Sequence, residues 1–99
     1  MIDLPAEQLA KVLKIVRLHV TGAEVFAFGS RVSGKAKKFS DLDLMIKTPS
    51  ALPWKTLAEL RESFEDSDLP ICVDVVDWSN CTERFRSIVA PQLVRISAT

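Results

Sequence analysis

The sequence has few of the features that mark membrane proteins or general nucleic-acid binders. It contains no apolar run near the roughly 20 residues that a helix needs to cross a bilayer, so no membrane association is expected. Its 13 basic and 13 acidic residues leave a formal net charge of +0. General affinity for polyanions requires an excess of basic residues. Direct nucleic-acid binding is therefore not expected, and any contact with a polyanion must be local.

Cysteine and histidine are also scarce. The two cysteines, Cys72 and Cys81, lie in a strand-like run and near a helix start, and they do not make a disulfide framework. There is no CxxC motif and only one histidine, which argues against a zinc site. The first ten residues, MIDLPAEQLA, lack the charged region and apolar core of a signal peptide. These absences predict a cytoplasmic location with reduced thiols.

What is present is an ordinary globular composition. The 99 residues are 47% hydrophobic and 26% charged, which predicts a single domain over residues 1–99. The spacing of apolar residues predicts helices over 5–19 and 54–65 and strands over 24–28, 42–47 and 71–78. Ser79-Asn80 is predicted to cap a helix over 82–89, and Pro91 to start a further turn or short helix to residue 96. This order predicts an α/β (α+β) domain in which helices cover a small sheet.

The first predicted strand runs directly into Gly29-Ser30, followed by a short helix and a basic loop. Backbone N–H groups and a hydroxyl at the start of a helix form a favourable site for an anion. Glycine allows a phosphate to approach the backbone closely. The turn therefore predicts a phosphate site, although it is not a Walker A loop.

The basic loop ends in Asp41-Leu42-Asp43. Residues two apart in a strand point to the same face, so Asp41 and Asp43 project together while Leu42 faces the core. Two adjacent carboxylates repel each other unless a cation lies between them. Mg²⁺ usually takes one or two carboxylates together with substrate phosphates. The pair therefore predicts a magnesium site beside the phosphate turn.

A two-metal site for phosphoryl or nucleotidyl transfer needs a third carboxylate, and the third predicted strand offers Asp74 and Asp77. Ile71, Val73 and Val75 share the face expected to point to the core, and Asp74 points the other way in mid-strand. An aspartate within a run of valines is costly unless it is paired or metal-bound. Asp74 is therefore the predicted third acid. Asp77 has core-side parity but is expected to reach solvent at the end of the strand.

The combined pattern resembles a known family. Gly29-Ser30, ten intervening residues and Asp41-Leu42-Asp43 match the GS-x10-DxD signature of the DNA polymerase beta-like nucleotidyltransferase superfamily. The short chain, Arg31 directly after the serine and the VDVVD strand are similar to its smallest members, the minimal nucleotidyltransferases (MNT). The resemblance implies that superfamily's fold, a small mixed β-sheet with helices packed on one face.

The resemblance also implies a reaction and a set of site residues. Members of the superfamily transfer a nucleoside monophosphate from a nucleoside triphosphate, here most simply ATP, to an acceptor hydroxyl with two Mg²⁺ ions. Asp41, Asp43 and Asp74 would be the metal ligands and catalytic acids, with Asp74 nearest the acceptor. Gly29 and Ser30 would bind the β- and γ-phosphates, with Arg31 beside them in the nucleotide site.

A partner is implied as well. Minimal nucleotidyltransferases are typically encoded beside a HEPN-domain protein, as antitoxin and toxin ribonuclease, and members adenylylate a tyrosine of that partner. The resemblance therefore implies a HEPN-type toxin as partner and acceptor. Larger relatives carry a second, helical domain that binds the acceptor or the base, which is not seen before Thr99. A partner or a second copy is expected to complete the cleft.

Two other functions are compatible with parts of the pattern. A non-catalytic module could bind a nucleotide and neutralise its partner by occlusion, but a pure binder does not need three converging carboxylates. A modifier of small molecules, such as an antibiotic nucleotidyltransferase, is disfavoured by the missing acceptor domain. For Arg31, phosphate contact and loop packing are equally open. Lys35, Lys37 and Lys38 either steer a triphosphate or form a solvated loop.

Overall fold

A computed structural model describes residues 2–96 of the chain. Its helices and strands, in chain order, are α1 Ala6–His19, β1 Glu24–Phe28, α2 Ser30–Ser33, β2 Leu42–Lys47, α3 Trp54–Glu65, β3 Val73–Asp77, α4 Glu83–Val89 and β4 Val94–Arg95. Two short 3₁₀ helices, Trp78–Asn80 and Ala90–Gln92, flank α4. Among the described residues no helix is long and apolar enough to cross a membrane. The mixed α+β architecture predicted from the sequence is confirmed.

The four strands form one mixed sheet in the order β3-β2-β1-β4. β1 pairs antiparallel with both β2 and β4, whereas β2 and β3 are parallel and are joined through α3. Parallel neighbours need a crossover connection, which is usually a helix. The end of β1 and the starts of β2 and β3 consequently meet at one edge of the sheet, where the motif residues lie.

The hydrophobic core lies between one face of this sheet and the helices α1 and α3. Alternate strand residues, among them Val25, Leu44 and Val75, point into it, as expected from the period of two in a strand. The helices contribute residues spaced by three or four positions, such as Val12 and Leu60, which are fully buried. This packing holds β2 and β3 in register and leaves the residues between the core positions, including Asp43 and Asp74, on the opposite face.

The expectation that helices pack on one face holds for α1 and α3 but not for α4. Phe85 of α4 meets Phe28 edge-on, with the ring centroids 6.3 Å apart. Phe28 is paired with Asp43 and therefore lies on the face opposite the core. Met45 lies on this second face too and is fully buried. The second face is therefore partly covered, with the carboxylates beside the covered part.

Of two local predictions near the end of the chain, one was correct in part and one was wrong. The short helix expected at Pro91 is present as the 3₁₀ helix Ala90–Gln92, but it does not reach residue 96, because residues 94–95 pair with β1 as strand β4. Ser79-Asn80 does not cap α4 but belongs to a 3₁₀ helix. The cap of α4 is Thr82, whose hydroxyl accepts a hydrogen bond from the Phe85 N–H at 3.1 Å.

The expectation that Asp77 reaches solvent was also wrong. Asp77 is only 2% exposed. Its carboxylate accepts hydrogen bonds from the Leu52 N–H (3.0 Å), the Ser79 N–H (3.2 Å) and the Asn80 side-chain amide (3.2 Å). It therefore ties the segment before α3 to the end of β3, and three donors compensate the burial of its charge.

Replacing Asp77 with Ala should consequently destabilise the fold. The substitution leaves the partly buried N–H groups of Leu52 and Ser79 without acceptors, at roughly 1–3 kcal/mol for each unsatisfied group. We expect urea denaturation to show a loss of about 3 kcal/mol in unfolding free energy. Asp66→Ala, at an exposed position after α3, is the control and should change little. Unchanged stability of the Asp77→Ala variant would contradict the structural role.

Candidate active site

The phosphate turn predicted from the sequence lies at the sheet edge where β1 ends. Gly29 follows the last residue of β1 and caps the single-turn helix α2, with φ 80° and ψ −153°. Its carbonyl accepts hydrogen bonds from the N–H groups of Val32 and Ser33, both at 3.1 Å. The first N–H groups of a helix have no partner within it. The turn therefore directs backbone donors and the half-buried Ser30 towards the space beyond the strand end.

Gly29 is required here for two reasons that the sequence showed only in part. Its backbone conformation is one that residues with a side chain rarely adopt. In addition, a Cβ atom at this position would overlap the Oδ2 atom of Asp43. The glycine therefore allows the Asp43 carboxylate to lie directly against the turn. From the sequence, Gly29 was predicted to let a phosphate approach the backbone closely. The structure shows that it also lets the Asp43 carboxylate lie close to the backbone.

Asp43 and Asp74 are direct neighbours across the parallel strands β2 and β3. Side chains of paired residues in adjacent strands point to the same face, so both carboxylates project from the face opposite the core. Asp41 lies just before β2, is exposed, and shares the parity of Asp43. The structure thus brings together the three acids that the sequence singled out. The choice of Asp74 over Asp77 for this face agrees with the observed register.

The electrostatics of this cluster are unfavourable without a cation. Burial raises the pKa of Asp43, and the negative charges of Asp74 and Asp41 raise that pKa further. Within residues 2–96, no ion pair or hydrogen bond from a side chain or backbone group reaches any of the three carboxylates. Hard carboxylate oxygens crowded in this way have the chemistry that Mg²⁺ requires, and a cation would relieve their repulsion.

The three carboxylates are not yet placed as the ligands of an occupied metal site would be. Among the described residues, no three His, Cys, Asp or Glu side chains already converge closely enough to hold an ion. Asp41 and Asp74 are exposed, whereas Asp43 is half-buried and lies against Gly29. The carboxylates therefore fit a divalent cation by donor type and proximity, with Asp43 as the fixed ligand towards which the two exposed carboxylates would turn.

Arg31 follows the turn, but its guanidinium points into the protein. The side chain is 6% exposed. It donates to the carbonyl oxygens of Asp3 (3.0 Å), Lys38 (3.3 Å) and Ser40 (2.9 and 3.2 Å). Of the two roles that the sequence left open, the structure displays loop packing, since these carbonyl groups already occupy the guanidinium. Phosphate contact by Arg31 is not favoured by this geometry.

Replacing Arg31 with Met should therefore reduce stability more than nucleotide binding. The variant retains much of the apolar stem but leaves several carbonyl groups without their donors. We expect a loss of roughly 3 kcal/mol in the free energy of unfolding, measured by urea denaturation. ATP binding, measured on the folded fraction at low temperature, should change less than about threefold. Wild-type stability together with strongly weakened ATP binding would restore the phosphate-contact role.

Phe39, for which no role was predicted, lies between the two carbonyl groups of Lys38 and Ser40 that Arg31 binds, and it is 73% exposed. An aromatic residue in an otherwise polar, lysine-rich segment was the one signal in the sequence that could have drawn attention to it.

Known proteins resemble this chain over most of its length. The sequence profile of the family described as "Nucleotidyltransferase domain" matches residues 9–98. A curated relative from Haemophilus influenzae, named "Probable protein adenylyltransferase MntA", is 47% identical over 88 residues, which cover 89% of this chain and 77% of the relative. The chain thus spans about three quarters of that protein's length.

Solved structures share the fold. A crystal structure described as a toxin-antitoxin with AMP-PNP matches with a TM-score of 0.72 and 25% identity, over 92% of this chain and 73% of that one. A second structure is described as a tri-AMPylated Shewanella oneidensis HEPN toxin in complex with MNT antitoxin. It contains a chain that matches with a TM-score of 0.61 and 21% identity, over 94% of this chain and 71% of that one. With the profile match and the 47% identity, these findings show that the chain belongs to the nucleotidyltransferase domain family and is a minimal nucleotidyltransferase.

Proposed function

We propose that this chain transfers AMP from ATP to a side-chain hydroxyl, most simply a tyrosine, of a HEPN-type toxin and thereby acts as its antitoxin. The observation that carries the proposal is the position of Asp43. Its carboxylate lies against the Gly29 turn on one side and beside Asp74 on the other. A phosphate-binding turn and a carboxylate cluster in direct contact are the parts that nucleotidyl transfer needs.

The relatives support the donor and the acceptor. The curated relative is named a protein adenylyltransferase, and one matching structure was obtained with AMP-PNP, an ATP analogue. Another matching structure pairs an MNT antitoxin with a HEPN toxin that carries AMP groups. The similarity to these proteins makes the same donor and the same class of acceptor the simplest assignment for this chain.

The residues of this chain have distinct parts in the proposed reaction. Gly29 and Ser30 bind the β- and γ-phosphates through backbone N–H groups and the Ser30 hydroxyl. Asp41, Asp43 and Asp74 would hold two Mg²⁺ ions, which when bound supply positive charge that stabilises the phosphates during transfer. Their fit rests on the crowded, unpaired carboxylates described above.

The acceptor oxygen forms a bond to the α-phosphorus of ATP, the bond from that phosphorus to the β-phosphate oxygen breaks, and pyrophosphate leaves. Asp74, which is exposed at the start of β3, accepts the hydroxyl proton. The rate of such a transfer depends mainly on how the reacting groups are positioned relative to each other. The partner surface would hold its hydroxyl in line with the leaving pyrophosphate.

The test is mass spectrometry of the HEPN toxin after incubation with this chain, ATP and Mg²⁺. We expect the toxin to gain the mass of one or more AMP groups and to lose its ribonuclease activity. Removal of Mg²⁺ with EDTA should prevent both changes. Toxin that is neutralised without gaining AMP would favour occlusion instead, and efficient modification of a free small molecule by the isolated chain would defeat the proposal.

A further inference from the structure

Hydrogen bonds hold the backbone on both sides of Phe39, and its side chain is exposed to solvent. The buried Arg31 guanidinium binds the carbonyl groups on either side of it, those of Lys38 and Ser40. A tight turn reinforces this arrangement, because the Lys37 N–H donates to the Ser40 hydroxyl at 2.8 Å and the Ser40 N–H donates to the Lys37 carbonyl at 3.1 Å. Phe39 is nevertheless 73% exposed. A rigid backbone that presents a large apolar side chain to solvent is typical of a binding anchor.

The segment that carries Phe39, residues 33–40, has only basic charges. Lys35, Lys37 and Lys38 are all exposed, and segment 33–40 contains no acidic residue. Within residues 2–96 none of the three ammonium groups forms an ion pair. The Lys38 ammonium lies 5.4 Å from the centre of the Phe39 ring, at a distance that suits a cation–π contact. The patch is therefore an aromatic anchor with a cationic rim.

A recess adjoins the anchor. It has a volume of about 240 Å³ and is bordered by Phe39, Pro5 and Gln8 near the start of α1, and Pro70 and Ile71 before β3. This volume exceeds the roughly 150 Å³ of an engineered cavity that accepts benzene. The recess can therefore take an apolar side chain of a partner. Phe39 is two residues from Asp41, so the surface lies beside the Asp41 end of the proposed active site.

We infer that Phe39 with its lysine rim and the adjoining recess is the docking surface for the protein substrate, whose complementary surface carries carboxylates around an apolar side chain. This inference rests on the proposed function, because it takes the acceptor to be a protein. Charge complementarity selects an acidic surface, and the anchor beside the recess selects an apolar side chain at its centre. Docking here places the partner within reach of the carboxylate cluster.

A protein fits this surface better than a nucleotide does. Phosphates gain little from an exposed phenyl ring, and a base that stacks on Phe39 would leave the recess unused. The recess is bordered by separate chain segments, among them residues 5–8, 38–39 and 70–71. That breadth matches a contact between protein surfaces, in which a few buried anchors carry most of the binding free energy.

The test measures binding of the purified HEPN toxin to the full chain at low and moderate salt, without ATP. Phe39→Ser should raise the Kd at least about tenfold, as for a central anchor. Lys37→Glu combined with Lys38→Glu should slow association and reduce its salt dependence. Leu18→Ser is a matched control, since Leu18 is also 73% exposed but lies on α1. Lys14→Glu, on the same helix, is the charge control, and both control variants should bind like the wild type.

Two further measurements separate the outcomes. ATP binding to the isolated chain should be the same for wild type and Phe39→Ser, and a comparable loss of ATP binding would assign the patch to the nucleotide and overturn the inference. Wild-type affinity of Phe39→Ser for the toxin, or no binding by the wild type itself, would also overturn it. If the wild type binds the toxin but transfers no AMP, the proposed function fails, and the docking surface is still judged by the Kd of the variants.

Discussion

Asp43→Asn should lower the rate of AMP transfer by roughly a thousandfold or more, a loss typical of removing a group that stabilises charge in the transition state. Asp43 is the carboxylate that lies against the Gly29 turn and is paired across the strands with Asp74. An amide at this position retains the shape but loses the negative charge that would hold a metal ion. The measurement is the initial rate of AMP incorporation into the HEPN toxin, with Asp66→Asn as an exposed control. Near-wild-type transfer by Asp43→Asn would remove the metal site from this cluster.

The same substitution should raise thermal stability in the absence of Mg²⁺. Burial and the charges of Asp74 and Asp41 raise the pKa of Asp43 in the folded state. The folded chain therefore binds this proton more tightly than the unfolded chain does, and stability falls as pH rises through the interval between the two pKa values. Asn carries no charge and avoids this loss at neutral pH. Mg²⁺ should raise the Tm of the wild type and have little effect on the variant.

Gly29→Ala should abolish most transfer and also destabilise the chain. The backbone at Gly29 has a positive φ of 80°, and the added Cβ would overlap the Asp43 carboxylate. Backbone strain of this kind costs about 1–3 kcal/mol, and the displaced carboxylate would no longer lie beside Asp74. Differential scanning calorimetry and the transfer assay measure the two effects. Full activity of Gly29→Ala would show that the contact between turn and carboxylate is not needed.

Gly34 offers a matched control for the free-energy cost of backbone strain. It also has a φ of 80°, but nothing lies within 4 Å of the Cβ that an alanine would add. Gly34→Ala should therefore show the strain alone and leave transfer largely intact. Combining Gly29→Ala with Asp43→Ala should relieve the overlap, so that Gly29→Ala costs less stability in the Asp43→Ala background than in the wild type. An equal cost in both backgrounds would indicate that strain, and not the carboxylate, explains the Gly29 effect.

Helices and strands could be predicted from the sequence where the segment itself carries a clear pattern of apolar residues. The strands at 24–28 and 42–47 and the helix at 54–65 have the predicted bounds, because their alternating or helical apolar patterns match the faces that are buried. Strand β4 could not be predicted, since two residues carry no pattern and only pairing with β1 makes them a strand. The cap of α4 shifted to Thr82 because the preceding residues close a 3₁₀ turn onto Asp77.

The sequence by itself determined the chemistry of this protein: a glycine-serine turn after a strand, two aspartates with common parity, and an aspartate within a valine-rich strand. These depend on residue type and on spacing along one segment. Only the tertiary structure decided which distant groups meet, because strand register and side-chain direction depend on the packed core. It placed Asp43 beside Asp74 and against Gly29. It also buried Asp77 and Arg31 among backbone partners, which no local pattern could have distinguished from exposed, catalytic charges.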